Sequence, residues 1–401
     1  METPLLYRQL QDQLSQWVQP KDQRHLQGFA EIVAAVLQSG EACLGRWIPY
    51  LSHRDCGARA HMGRLSYFLH NPQITAERYY EPILRHLLSA FAGEAILLTL
   101  DTSMLWDQFC LIEVCLAWGG RSFTLAQVVL EHGSAMVGFE QYRPVLERAQ
   151  QALPPGVQVT LLADRGFVRE ASPEEKHGGL MRWLNKQQWD WAIRVKSDLL
   201  VTTADGRTQS VESLFPPPEQ AYLVGPVRVL GDIDAHLATA NVPGAQDTWA
   251  VLSRQAVSLQ TFALYGQRFG GIVREASPEE KPHFKDYKSA ALNVLDSGLR
   301  DAAVLTRLFM LLDCAYLIAL VLGMMLVKAG QRTRLDWHGD RGLSFLQLGL
   351  RELARLCYER LPLPILQVLP KCNPPPACAS QRKRDALDCR IEFSKVVSFS
   401  F

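Results

Sequence analysis

Two aspartates close apolar runs in this chain. Asp101 follows Ile96-Leu97-Leu98-Thr99-Leu100, and Asp164 follows Val159-Thr160-Leu161-Leu162-Ala163. If those runs are adjacent strands of one sheet, both carboxylates emerge at the same edge, where they repel unless a cation lies between them. Mg2+ prefers hard oxygen ligands and keeps positions for water and phosphate. Two such ions about 3.5–4 Å apart stabilise the attacking and the leaving oxygen of an in-line phosphoryl displacement. A third carboxylate from a later helix would complete the set. Either aspartate taken singly also reads as a turn or helix-cap residue, so the order of the elements that carry them decides between the two readings.

Residues 4–93 hold apolar positions at helical spacing, as in Phe29, Ile32, Val33, Val36 and Leu37, with turns near Gln19-Pro20 and Asn71-Pro72. The spacing predicts an all-helical first domain, 1–94. From 95 to 197 the pattern changes to short apolar runs over 95–101, 109–118 and 122–130, a helical stretch over 137–153, a run over 157–164, a helical stretch over 179–188 and a run over 191–196. The order is strand, strand, strand, helix, strand, helix, strand. Gly119-Gly120 marks a hairpin between the second and third runs, so the first three strands are expected to be antiparallel neighbours. The fourth follows a helix, as a parallel crossover requires. The fold class is therefore α/β, a mixed sheet flanked by helices.

A polar stretch with short β-like pieces and Pro216-Pro217-Pro218 fills 198–263 and reads as a β-rich insertion. Helical periodicity returns over 284–327 and 343–360, within a segment 264–360 that completes the core and adds a C-terminal helical region. The tail, 361–401, is rich in Pro, Ser and basic residues and is expected to be loosely ordered.

The 401 residues are 48% hydrophobic and 21% charged with a formal net charge of +1, which excludes disorder, collagen and coiled coil. Nine scattered cysteines form neither a disulfide framework nor a zinc spacing, and fit a reducing compartment. A polar amino terminus argues against a signal peptide and for a cytoplasmic, nucleoid-associated protein. The longest uncharged run, 314–327, has 14 residues where a bilayer needs roughly 20; a buried core helix is expected and no membrane partner. From Tyr265 onward 20 Lys and Arg face 14 Asp and Glu, an excess that suits a polyanion or a solvated basic surface alike. No Walker loop, dinucleotide fingerprint or His-Glu-x-x-His occurs.

Several motifs together resemble the DDE transposases of bacterial insertion sequences, of the IS-four-like group, whose catalytic core is ribonuclease-H-like. Tyr265-Gly-Gln-Arg268 matches the start of that family's signature, and Pro282-His-Phe-Lys-Asp-Tyr-Lys-Ser289 its end, with Lys288 as the closing lysine. Leu100-Asp101-Thr102-Ser103 and Leu162-Ala163-Asp164-Arg165-Gly166-Phe167 match the motifs of the first two acids. The segment from Leu299-Arg-Asp to Tyr316-Leu and the loop Trp337-His-Gly-Asp-Arg-Gly-Leu-Ser344 also match, so the resemblance spans about residues 95–360. It implies a transposase that cleaves DNA at element ends and joins them to target DNA. Asp101 and Asp164 would be metal ligands for two Mg2+, with Mn2+ as the alternative. Arg165, Arg268, Lys285 and Lys288 would contact DNA phosphates, and Tyr265 would support the same strand. The helical first domain would bind the inverted-repeat ends, the insertion would help to hold a hairpin, and the protein would act on double-stranded DNA as a homodimer.

The sequence departs from that family at the third acid. The family's glutamate precedes the lysine by six intervening residues, and here that position is Lys281. Val273-Arg-Glu-Ala-Ser-Pro-Glu-Glu-Lys281 repeats Val168-Arg-Glu-Ala-Ser-Pro-Glu-Glu-Lys176 residue for residue, a match whose chance probability is on the order of 10⁻⁷. Each copy directly follows a motif. Glu280, Glu279 and Glu275 are the carboxylates at hand, and on a helix Glu280 lies nearest the expected face. Glu280 is therefore the expected third catalytic and metal-binding acid. Ser277-Pro278-Glu279-Glu280 also reads as a helix start with a capping box. Two other functions stay open: a structure-specific nuclease on the same fold, and an inactive DNA-binding remnant. Trp249 either packs its strand or stacks on a base, and the loop 337–341 is either a DNA contact or a plain interhelical turn.

Overall fold

The computed structural model describes residues 5–52, 56–118, 121–168, 178–241, 248–269, 294–338, 342–369 and 393–399. The chain opens with helices α1 (Leu5–Leu14), α2 (Gln23–Ser39), α3 (Leu44–Trp47), α4 (Ala58–His70), α5 (Ala76–Tyr79) and α6 (Glu81–Leu87). Asp22 caps α2 by accepting from the Arg24 amide, and Gly40, at φ +67°, ends it in the left-handed conformation that glycine tolerates best. Every residue of α2 from Phe29 to Leu37 is buried, because other helices cover it on several sides. That burial includes Glu31, whose carboxylate accepts from Arg64 Nη2 at 2.6 Å and from the Ser52 amide at 2.7 Å.

Strands β1 (Ala95–Leu105), β2 (Phe109–Trp118) and β3 (Arg121–Glu131) form the expected antiparallel meander. Helix α7 (Phe139–Ala152) then crosses to β4 (Gln158–Ala163), and α8 (Gly179–Lys186) to β5 (Asp190–Arg194). Both later strands run parallel, β4 beside β1 and β5 beside β4. The order β3-β2-β1-β4-β5, with only β2 reversed among these five, is the ribonuclease-H-like arrangement. All of β2 is buried except half-buried Ala117, as both faces of the sheet are covered, which is why the run reads as continuously apolar rather than alternating.

The segment expected as an insertion does not form a sheet of its own. Its strands are β6 (Leu200–Thr203), β7 (Thr208–Ser210), β8 (Gln220–Val229), β9 (Ile233–Ala240) and β10 (Trp249–Ser253). β10 pairs antiparallel with β5, so the core sheet continues as β10-β9-β8-β6-β7. Helix α9 (Leu259–Gly266) starts before the expected end of the β-rich stretch, because Ser258 accepts from the Gln260 amide and caps it.

Helix α10 (Ala302–Lys328) contains the long uncharged run. It is long and apolar enough to cross a membrane, yet 89% of its most apolar stretch is buried inside the protein. It packs against β3, α2, α4 and α11 (Phe345–Tyr358). Thr306 of α10 accepts from the Val129 amide at 3.0 Å, so the helix caps an edge strand whose backbone would otherwise offer a pairing surface. Two parts of the tail expected to be loose are built in. Leu363, Leu366 and Leu369 are buried, with the Leu363 and Leu366 amides held by Gln9 and Gln13 of α1. Strand β11 (Lys395–Phe399) lies parallel to β8. Apolar side chains at three-residue spacing and a β-branched pair, Val396-Val397, outweigh the polar composition around them.

Candidate active site

β1 and β4 are adjacent and parallel, and their shared register ends at Leu100 opposite Ala163. The next residue on each strand is an aspartate. β4 stops there: Asp164 caps a short 3-10 turn, Arg165–Phe167, with Oδ1 accepting from the Arg165 amide at 2.7 Å. β1 continues to Leu105 on the β2 side, so Asp101 stays on a strand, its Oδ1 accepting from the Thr102 amide at 3.1 Å. The two carboxylates are thus fixed by elements that the apolar runs themselves define.

Arg268 joins them. It sits in the 3-10 turn Gln267–Phe269 that follows α9, and α9 packs on β5 and β10. Its Nη2 lies 3.0 Å from Asp101 Oδ1 and its Nη1 3.5 Å from Asp164 Oδ2, with Nη1 also donating to the Tyr265 hydroxyl at 3.2 Å. The guanidinium side chain is only 2% exposed. Burial acts to lower its pKa, but the charges of Asp101 and Asp164 and the Tyr265 hydroxyl outweigh it and hold Arg268 above its ordinary value. Burial pushes the Tyr265 hydroxyl up to about 12. The carboxylates of Asp101 and Asp164 and the Tyr265 hydroxyl offset the cost of burying this cation at its two terminal nitrogens.

The remaining candidates separate cleanly. Tyr265 is fully buried, edge-on to Trp249 at 5.8 Å between centroids. Trp249 therefore packs its strand. Arg165 is exposed beside Asp164. Glu280, Lys285 and Lys288 lie outside the described residues, as do the second nonapeptide and all but Val168 of the first.

One acid escaped the sequence reading. Glu113 stands opposite Asp101 in the β1–β2 register and is buried; directly opposed residues of an antiparallel pair share a face. Inside the apolar run 109–118 it carried no local signal. Only strand pairing reveals it.

The donor set fits a hard divalent ion in part. Asp101 and Asp164 supply carboxylate oxygens at one sheet edge, and the oxygens that Arg268 holds are among those a metal would use. Among the described residues no group of three or more His, Cys, Asp or Glu is arranged to hold a metal ion.

The sequence matches no family profile and no curated protein. Among solved structures it is similar to the piggyBac transposase in a cryo-EM synaptic complex with hairpin DNA, with a TM-score of 0.36 and 10% identity over 91% of this chain and 82% of that one. A likeness of that size transfers no residue role.

Proposed function

We propose that this chain is a DNA transposase of the insertion-sequence DDE kind, IS-four-like, acting as a homodimer on inverted-repeat ends and target DNA in the cytoplasm. The observation that carries the reading is the meeting of Asp101 and Asp164 at the ends of parallel neighbours β1 and β4, joined by the arginine of the Tyr265-Gly-Gln-Arg268 motif. Asp101, Asp164 and a glutamate from the 275–280 segment would hold Mg2+, which when bound activates water and orients a 3′-hydroxyl. Arg268 keeps the two carboxylates in place, and Arg165, exposed at the same edge, suits a phosphate.

Incubation of the full chain with labelled element-end duplex is expected to give Mg2+-dependent strand cleavage that Asp101→Asn abolishes. Binding should weaken steeply with salt, as phosphate contacts release counterions. Cleavage that persists in Asp101→Asn would overturn the assignment. Products cut but never joined to target DNA would favour a nuclease on the same fold.

A specific observation favours a second reading, a DNA-binding remnant. The repeated nonapeptide falls where the family keeps its glutamate, and Arg268 offsets one of the aspartate pair's two charges from within the protein. In that case the chain shifts end DNA in a gel without cutting it, and replacement of residues 273–281 by a single glutamate restores cleavage.

A further inference from the structure

Trp337 is 82% exposed, an unusual position for the largest apolar side chain. It is held there by a built structure. Asp336, whose side chain is 1% exposed, accepts at Oδ2 from Arg332 Nε (2.9 Å), Arg332 Nη2 (2.7 Å) and the Leu343 amide (2.8 Å). At Oδ1 it accepts from the His338 amide (3.1 Å) and His338 Nδ1 (2.9 Å). A carboxylate only accepts, so Nδ1 carries the proton and the imidazole plane is fixed. The indole lies on that plane, 4.3 Å between centroids and 22° from parallel. Arg351 Nη1 donates to the Leu335 carbonyl at 2.9 Å and ties the loop to α11. Among the described residues no ring covers the other face of the indole.

A rigid, solvent-facing aromatic plane on a basic segment suits one chemistry above others. Every nucleobase offers a π-face, and stacking tolerates any sequence. In a duplex those faces are already stacked, so the platform takes an unpaired base. The segment 328–351 has five Lys and Arg against two Asp, and exposed Arg334 lies three residues from Trp337, supplying charge for the flanking phosphates. An aromatic docking site for a protein would instead be expected within an apolar surround, whereas the immediate neighbours here are polar.

We infer that the Trp337–His338 stack is a platform for an unpaired nucleotide at a DNA end, with Asp336 as the residue that positions it. This rests on the DNA-binding reading above and adds to it the recognition of unpaired bases.

The test uses the full chain and two fluorescein-labelled DNAs of equal length, one blunt duplex and one with a four-nucleotide 3′ overhang, read by anisotropy and by tryptophan quenching. Wild type is expected to prefer the overhang, with quenched emission. Trp337→Ala should lose about tenfold in affinity for the overhang DNA and leave blunt-duplex affinity unchanged, while Trp337→Phe retains most of the preference. Asp336→Asn should lose part of it with unchanged far-UV dichroism. If both DNAs bind and Trp337→Ala leaves the overhang affinity intact, the platform is wrong and the DNA reading stands. If neither DNA binds at low salt, both fall together.

Discussion

Arg268 occupies the place where charge chemistry would give a cation, with one terminal nitrogen toward each aspartate. Removing one member of a buried ion cluster leaves the others uncompensated. Arg268→Met is therefore expected to lower stability by about 3 kcal/mol at neutral pH, less than a fully enclosed pair would lose, since Asp164 is 37% exposed. Millimolar Mg2+ should return part of that loss, because an ion bound only by the folded form stabilises it, and should raise the urea midpoint of the variant more than that of wild type. Equal midpoints with and without Mg2+ would show that the carboxylates hold no divalent ion even when the guanidinium is gone. At this scale the aspartates were legible because each ends a run of apolar residues. Arg268 was legible as a motif residue but was expected on DNA phosphate, whereas its side chain is buried between the acids, and Glu113 had no signal at all. A side chain's partner across 167 positions is set by packing, not by spacing.

At the scale of elements, the crossing of α10 and α11 depends on two glycines. A Cβ added at Gly323 would overlap the Phe345 carbonyl oxygen, and one at Gly349 the Ala319 carbonyl oxygen. The helices thus meet backbone to backbone. Gly349→Ala is expected to cost about 3 kcal/mol, at the upper end for overpacking, where alanine in an exposed helix would gain up to about 1 kcal/mol from propensity. Chemical denaturation decides between the two signs, and a stabilised variant would refute the close crossing. Periodicity found both helices and the strand order of the core, since apolar period is a local property, but 294–301, read as part of the first helix, is a 3-10 turn and loop before Ala302. It read a β-rich insertion over 198–263, and the structure joins that stretch to the core sheet where β10 pairs with β5.

The whole molecule is closed by its own C-terminal segments. Residues 361–369 bridge α1 and α6: Gln13 takes the Leu366 amide and gives its own Nε2 to the Pro364 carbonyl, and the Leu369 amide reaches the Leu87 carbonyl. Deleting residues 361–401 would expose the surfaces beneath three buried leucines, a loss of roughly 5 kcal/mol at about 1.5–3 kcal/mol each. Deleting only 370–401 removes β11 from the β8 edge and should cost much less. Urea midpoints of the two truncations separate these outcomes, and equal midpoints would mean that the latch contributes nothing.

What the amino-acid sequence determined by itself is local: apolar runs of strand and helix period, their order, the aspartates at strand ends, and a nonapeptide present in two identical copies. These follow from covalent neighbours and the periods of helix and strand. What only the tertiary structure decided is which groups meet: Arg268 with Asp101 and Asp164, Glu113 across from Asp101, β10 against β5, and the tail against α1. Those meetings join residues distant in the chain, and the free energy that selects them comes from burial and charge pairing that no stretch of sequence carries alone.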